Sequence, residues 1–468
     1  MTGGTVRPFP KLAIPEETHL LYGVCPHPLR CGLGLTIGAG TVFPEVNFTL
    51  PPIAITDETW PAVKTQYEEM AEHILRRAAA LSVPGIVLEF ELLPAMTQRP
   101  EWGAEITGIL KRHLHGTHQK HGLPCALRVT PTDIRDQSKP PRLRAGEPWE
   151  RLRRSLELCA AAGADILSIE SVGGKEVHDQ ALMFGDVPAI VFALGVLAPR
   201  DMAWLWSEIV SICEAHPGVI PGGDSACGFA NTAMQLAHQK MLPEVLAAVI
   251  RAMSAVRSLV AFEQGAVGPS KDCAYEGPVM KAITGRPIAM EGKSASCAHF
   301  SPVGNIAAAM CDLWSNESVQ NVRLLSGSAP EAFTELLAYD CRLMNTAAAS
   351  EGGALRMRDW MTASDEWLSP QAAVLSPTAT LRIAEAIVGE STPYRCTVAA
   401  GRAAIAILND GITAMRIRLS RKETQWLNRI GETFEALPED EGAMVEAMEV
   451  QYGSLYDRTS YGMESAAG

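Results

Sequence analysis

Two thiols and one carboxylate stand where a folded chain can bring them together. Cys227 lies in GGDSACGFANT and Cys273 in GPSKDCAYEG, Gly-rich polar loops that each follow an apolar, strand-like run. A third run, ADILSIE, ends in Glu170 and passes at once into the turn SVGG. Zinc accepts thiolate sulfur and carboxylate oxygen, and three protein ligands leave a position open for a reactant. An open position implies chemistry rather than scaffolding. The cysteines lack the CxxC spacing of structural zinc sites, and Glu176, Glu263, Glu276 and Glu291 also stand near strand ends, so spacing alone leaves the carboxylate ligand open. One carboxylate and two thiolates carry more negative charge than a dication balances. An alcohol held by such a set keeps its proton while its oxygen is polarised, which suits cleavage of the carbon–oxygen bond.

Neighbouring polar residues invite supporting roles. Asp224 and Asp272 each stand within three residues before a candidate cysteine, where they can orient ligands, take a proton or cap the next helix. Lys271, Lys293 and His299 can meet a ligand or an acid, with surface or core duty as the plainer reading. Gly222, Gly223 and Gly228 permit tight turns and close approach to a bound group. The text GLGLTIGAG at 32–40 resembles a dinucleotide loop but lacks the strand–helix unit that such a loop requires.

These residues need elements to place them, and from about residue 50 the pattern alternates. Residues 58–81 read as an amphipathic helix, GIVLEFELL as a strand, and WGAEITGILKRHLHGTHQKHG as a helix closed by Gly122. CALRVTPTDIRD, ADILSIE, VPAIVFALG, GVIPGG and SLVAFEQGAVG read as further strands. EPWERLRRSLELCAAAG, APRDMAWLWSEIVSICEAH and LPEVLAAVIRAMSAV are the helices between them, and PVMKAITGRPIAMEGK gives a last helix and short strand. Such repetition favours a parallel sheet, and about eight units favour closure into an α/β barrel of the (β/α)8 TIM type. The expected organisation is an N-terminal extension over 1–34, the barrel over 35–327 with the site at the strand C-terminal ends, and a helical addition over 328–468.

Composition narrows the function classes. The chain has 468 residues, 47% of them apolar, and a net charge of −13 that argues against nucleic-acid binding. The run Arg151, Arg153 and Arg154 reads as a solvated helix face. Eleven cysteines spread singly do not form a disulfide framework. Cys159, Cys213, Cys311 and Cys341 sit among apolar helical neighbours and read as core. The first residues lack a secretory core, and no run reads as the about 18 apolar residues that span a bilayer. A cytoplasmic protein with reduced thiols and no membrane association is expected.

The loops closely resemble the zinc-dependent methanol:corrinoid methyltransferases, the substrate-activating subunit of methanol-using methanogens and acetogens. The likeness is carried by GTVFPEVNFTLPP, LEFELLPAMT, ILSIESVGGKE, IPGGDSACGFANTAM, GPSKDCAYEGP and MEGKSASCAHFSPVGN, in that order over roughly residues 20–325. It implies an eight-stranded barrel with added helices and one zinc ion per chain, held by Glu170, Cys227 and Cys273. It also implies a separate corrinoid protein in an assembly with two copies of each subunit, so this chain is expected as a homodimer within it. There Co(I) takes the methyl group of zinc-bound methanol to give methyl-Co(III) and water. Ala274 and Gly277 depart from the Gly and Asn that the resemblance leads one to expect. Asp224, Asp272 and Glu263 are the candidates by position for passing a proton to the departing oxygen. Two other readings are another methyl ether or short alcohol as methyl donor, and a non-catalytic barrel that only docks a corrinoid protein.

Overall fold

The computed structural model describes residues 7–48, 53–271, 273–293, 295–318, 323–324 and 327–463. Seven parallel strands share one curled sheet. They are β1 (Phe43–Phe48), β2 (Ile86–Leu92), β3 (Cys125–Pro131), β4 (Ile166–Ile169), β5 (Ile220–Asp224), β7 (Ala289–Glu291) and β8 (Leu313–Ser318). Chain order and spatial order agree, and β8 returns to pair with β1. The gap between β5 and β7 is filled by β6, residues 267–271. Val267 N donates to Pro221 O at 2.9 Å on one side, and Ala289 N donates to Ser270 O at 3.3 Å on the other. Ser270 also bridges Ile288 in parallel. Residues 267–271 are an extended segment rather than a ladder strand, and these bonds link β5 to β7 and complete the ring among the described residues.

Helices α1 (Trp60–Ala80), α2 (Pro100–His121), α3 (Glu147–Ala162), α4 (Ala198–Ala215), α5 (Glu244–Glu263) and α6 (Gly277–Thr284) return the chain between strands. Gly122 and Gly163 end α2 and α3 with positive φ, a conformation that costs glycine least. Two apolar runs expected as strands are helical. VPAIVFALG begins a helix at Val187–Phe192, and SLVAF is the last turn and a half of α5. Every residue from Val245 to Phe262 is buried, because α5 lies between the barrel and the C-terminal helices. A helix buried all round loses its amphipathic period and cannot be told from a core strand by sequence. By length and hydropathy α5 and the stretch Val187–Ala215 would also cross a membrane, yet both are packed inside protein.

The hairpin Val24–Cys31 and Leu35–Ala39 straddles the boundary expected at residue 34. Its Cys31, Leu35 and Ile37 pack with Phe43, Val87, Ala126, Ile166, Ala289 and Leu313, residues at the starts of six barrel strands. The hairpin thus plugs the N-terminal end of the barrel. Beyond residue 328 the described chain is helical from Ala329–Ala348 onward, and Pro393–Thr413 packs along α5.

Candidate metal centre

Inward-facing residues change character along the barrel axis. The lowest layer is the apolar plug. The next holds Glu45, Glu89, Arg128, Ser168 and Ser315, all fully buried, with Arg128 donating to Glu45 at 2.7 Å and to Ser168 at 2.9 Å. Above them, at the strand C-terminal ends, lies a cavity of about 370 Å³. Asn47, Glu91, Glu170, Cys227, Asn231, Met234, Lys271, Cys273, Glu291 and Cys297 line it.

Glu170, Cys227 and Cys273 converge here. Their donor atoms all lie within 4.8 Å of one another, with Cys273 Sγ 3.3 Å from Glu170 Oε1. Donor pairs around a tetrahedral zinc stand about 3.3–3.8 Å apart, so the three need close by only a small amount to share an ion. Glu170 directly follows β4, Cys227 opens the wide helical turn Cys227–Asn231 after β5, and Cys273 lies two residues beyond β6. Three successive strand ends therefore supply the three donors.

Buried ties hold these loops in register. Glu276 accepts from Ala226 N at 2.7 Å and from Ser258 Oγ at 2.8 Å, fixing the Cys227 loop to α5. Arg251 of α5 donates to Ala274 O at 2.7 Å and fixes the Cys273 loop. Asp224 accepts from Trp206 Nε1 at 3.1 Å, Arg257 Nη2 at 3.2 Å and Ser171 N at 3.3 Å, joining the Glu170 turn to β5. Lys271 places its ammonium 2.7 Å from Glu89, 2.5 Å from Glu91 and 3.6 Å from Glu170.

The charge balance of the cluster calls for a cation. The hydrogen bond from Cys273 pulls the Cys227 thiol down, but burial and the carboxylates of Glu170 and Glu291 outweigh it and push the thiol up to about 12. Cys273 is raised well above the usual thiol value by its bond to Cys227 and by burial. Thiols held protonated among carboxylates become thiolates when a dication enters, with release of their protons. The donor set thus fits zinc, which takes sulfur and carboxylate together, better than magnesium or calcium, which take oxygen.

The other expected residues fall elsewhere. Asp224 points away from the cavity, and burial raises its carboxyl despite Arg257 and Trp206. Glu263 ends α5 and pairs with Arg7 at 2.6 Å, whose other donor reaches Ile387 O, Glu390 O and Cys396 Sγ. The strand expected over SLVAFEQGAVG is what had put Glu263 beside the site. Asp272 and the side chain of His299 lie outside the described residues. Lys293 is half exposed and pairs with Asp340 at 3.2 Å. Arg151 and Arg153 pair with Glu147 and Glu157 on their own helix, a solvated face. Sequence reading passed over Asn47, Glu91 and Asn231, named Glu291 only as another strand-end carboxylate, and named Lys271 as able to meet a ligand or an acid. A signal was present in FPEVNF and IVLEFEL, where a polar residue at every second position marks an inward polar face.

The sequence matches the family described as methanol-cobalamin methyltransferase B subunit over residues 6–462. It is 38% identical over 437 residues to the methanol–corrinoid protein co-methyltransferase of Methanosarcina barkeri, covering 92% of this chain and 93% of that protein. The crystal structure of the methanol:cobalamin methyltransferase complex from the same organism contains a chain that superposes with a TM-score of 0.92 at 36% identity. That match covers 97% of this chain and 99% of the other.

Proposed function

We propose that this chain, which belongs to the methanol-cobalamin methyltransferase B subunit family, performs the family's reaction at one zinc ion held by Glu170, Cys227 and Cys273. The reaction transfers the methyl group of methanol to the corrinoid of a partner protein. The observation that carries the zinc reading is the convergence of two thiols and a carboxylate from three strand ends, together with the raised proton affinities of the two thiols. A zinc ion held there supplies Lewis acidity to the alcohol oxygen, without which hydroxide is too poor a leaving group.

The chain's own residues supply position and access. Glu276, Arg251 and Asp224 keep the three donor loops aligned through α5 and the body of the barrel. Placement at the barrel mouth leaves one side of the cavity open, so that a corrin face can approach the methyl carbon opposite the oxygen. Among the described residues, Glu91 and Glu291 are the carboxylates besides Glu170 that line the cavity. They therefore replace Asp224 and Glu263 as the groups placed to pass a proton to the departing oxygen. The convergence of donors favours this reading over a barrel that only docks a partner.

Replacing Cys227 or Cys273 with Ala is expected to abolish bound zinc and methylation of Co(I) cobalamin, free or protein-bound, together. Full activity in a metal-free variant would end the mechanism. A homodimer within the larger assembly finds support in Leu336, Tyr339 and Leu343, which are exposed at helical spacing along Ala329–Ala348. Leu343→Glu is expected to lower the sedimentation-derived mass of the isolated subunit to that of a monomer; an unchanged mass would exclude this face.

A further inference from the structure

Two amide side chains line the metal cavity with their nitrogens engaged and their oxygens unsatisfied. Asn47, 3% exposed at the end of β1, donates Nδ2 to Glu91 Oε1 at 3.0 Å. Asn231, 9% exposed and one turn beyond Cys227, directs Nδ2 to Cys227 Sγ at 3.5 Å. The carboxylate is an acceptor, and so is the sulfur once it is a thiolate, so each then fixes which end of its amide faces it. Among the described residues no protein donor reaches Asn47 Oδ1 or Asn231 Oδ1. Buried amide oxygens are normally paired, and an unpaired one costs free energy that a donating ligand recovers.

Most of the remaining lining accepts rather than donates, the exposed Gln235 amide and the Cys297 thiol, which donates to Glu291, being the exceptions. Glu91, Glu170, Glu291 and the two thiolate positions are acceptors once ionised. Lys271 is committed to its carboxylates, and the Thr232 hydroxyl donates to Gly228 O at 2.9 Å. An occupant of this cavity therefore meets lone pairs on several sides. A hydroxyl brings the hydrogen they lack. An ether oxygen brings only more lone pairs.

We propose that Asn47 and Asn231 are substrate-binding residues that select a methyl donor bearing a hydrogen on its oxygen, and so admit methanol while rejecting a methyl ether of similar size. The proposal rests on the methyl-transfer reading above and names how its substrate class is enforced. The number of acceptors suits the reaction: methanol has one hydroxyl hydrogen to give, and the water left when the methyl group departs has two. Sites built to pair a substrate hydroxyl reject analogues without it far more strongly than apolar pockets reject an extra methylene.

The test compares ethanol with dimethyl ether, which have equal numbers of heavy atoms, on the zinc-loaded chain with no cobalamin present. Ligand-observed NMR titration of the wild type is expected to show ethanol bound at least about tenfold more tightly. Asn47→Leu and Asn231→Leu are each expected to weaken ethanol binding about three- to tenfold and leave the ether unchanged. Bound zinc stays at one per chain, and the KM for methanol rises more than kcat falls. Equal binding of both ligands by the wild type overturns the proposal even if neither variant folds, and so does a parallel loss of both ligands in the variants. A wild-type chain that binds no zinc and transfers no methyl group would instead sink the functional reading itself.

Discussion

Lys271 is the sharpest place to test the electrostatics of the barrel interior. Its side chain is 1% exposed, and its ammonium lies 2.7 Å from Glu89 Oε1 and 2.5 Å from Glu91 Oε1. At an effective dielectric constant of about 20, one such contact has a gross Coulomb energy of about 6 kcal/mol, most of which offsets desolvation. Lys271→Met keeps most of the length of the side chain and removes the ammonium from Glu89, which is fully buried and keeps its Thr130 Oγ1 bond at 2.9 Å. Glu91 is 29% exposed and keeps Asn47, so water can answer for part of its charge. Breaking one partner out of a buried pair costs about 3–5 kcal/mol, and the retained Thr130 bond places this case near 3. Urea unfolding of the zinc-free chain measures it as a lower midpoint with an unchanged slope. Adding Glu89→Gln removes the buried charge that Lys271 balanced, and the double variant is expected within about 1 kcal/mol of the parent. An unaltered midpoint in Lys271→Met, or no recovery in the double variant, refutes the reasoning.

Two further outcomes follow from the ties around the donor loops. Burial raises the proton affinity of Glu276 above that of a free glutamate, so its contribution to stability is complete below about pH 4 and is lost as pH rises through the folded-state value. Glu276→Gln imitates the protonated form at every pH while keeping an oxygen for Ala226 N and Ser258. The variant should unfold at higher urea than the parent at pH 8, with the difference closing on acidification; parity throughout would contradict the burial argument. Asp224→Asn keeps an acceptor for Trp206 but strips Arg257 of its counter-charge, so a loss of about 3 kcal/mol in stability is expected. Its methyl-transfer rate per bound zinc should stay within about threefold, since loss of a true general acid costs about a hundredfold or more; a loss of that size would restore Asp224 as the acid.

The alternation of strand and helix was readable because most barrel helices show polar outer faces to water, as α1 and α3 do. It failed at Val187–Phe192 and at the end of α5, where the C-terminal helices cover the outer face and erase the period. The same failure misplaced Glu263. The three donors were visible as types in polar loops, and their meeting depends on register among β4, β5 and β6, which local pattern does not encode. Asn47 and Glu91 were hidden differently. Each alternates with a buried glutamate, Glu45 or Glu89, in a strand otherwise apolar, and only the curling of the sheet says that this face lines a cavity. Asp224 looked functional for its neighbours in sequence, whereas its carboxylate faces Trp206 and Arg257 on the helix side.

The segment that completes the ring, residues 267–271, is also the one that carries the chain to Cys273. Glu170 and Cys227 follow strands that pair directly with each other, whereas Cys273 is held out by the short stretch that bridges β5 and β7. A grip on one ion by all three donors therefore depends on that bridge as much as on the donors themselves, and loosening it would cost metal affinity without touching a ligand.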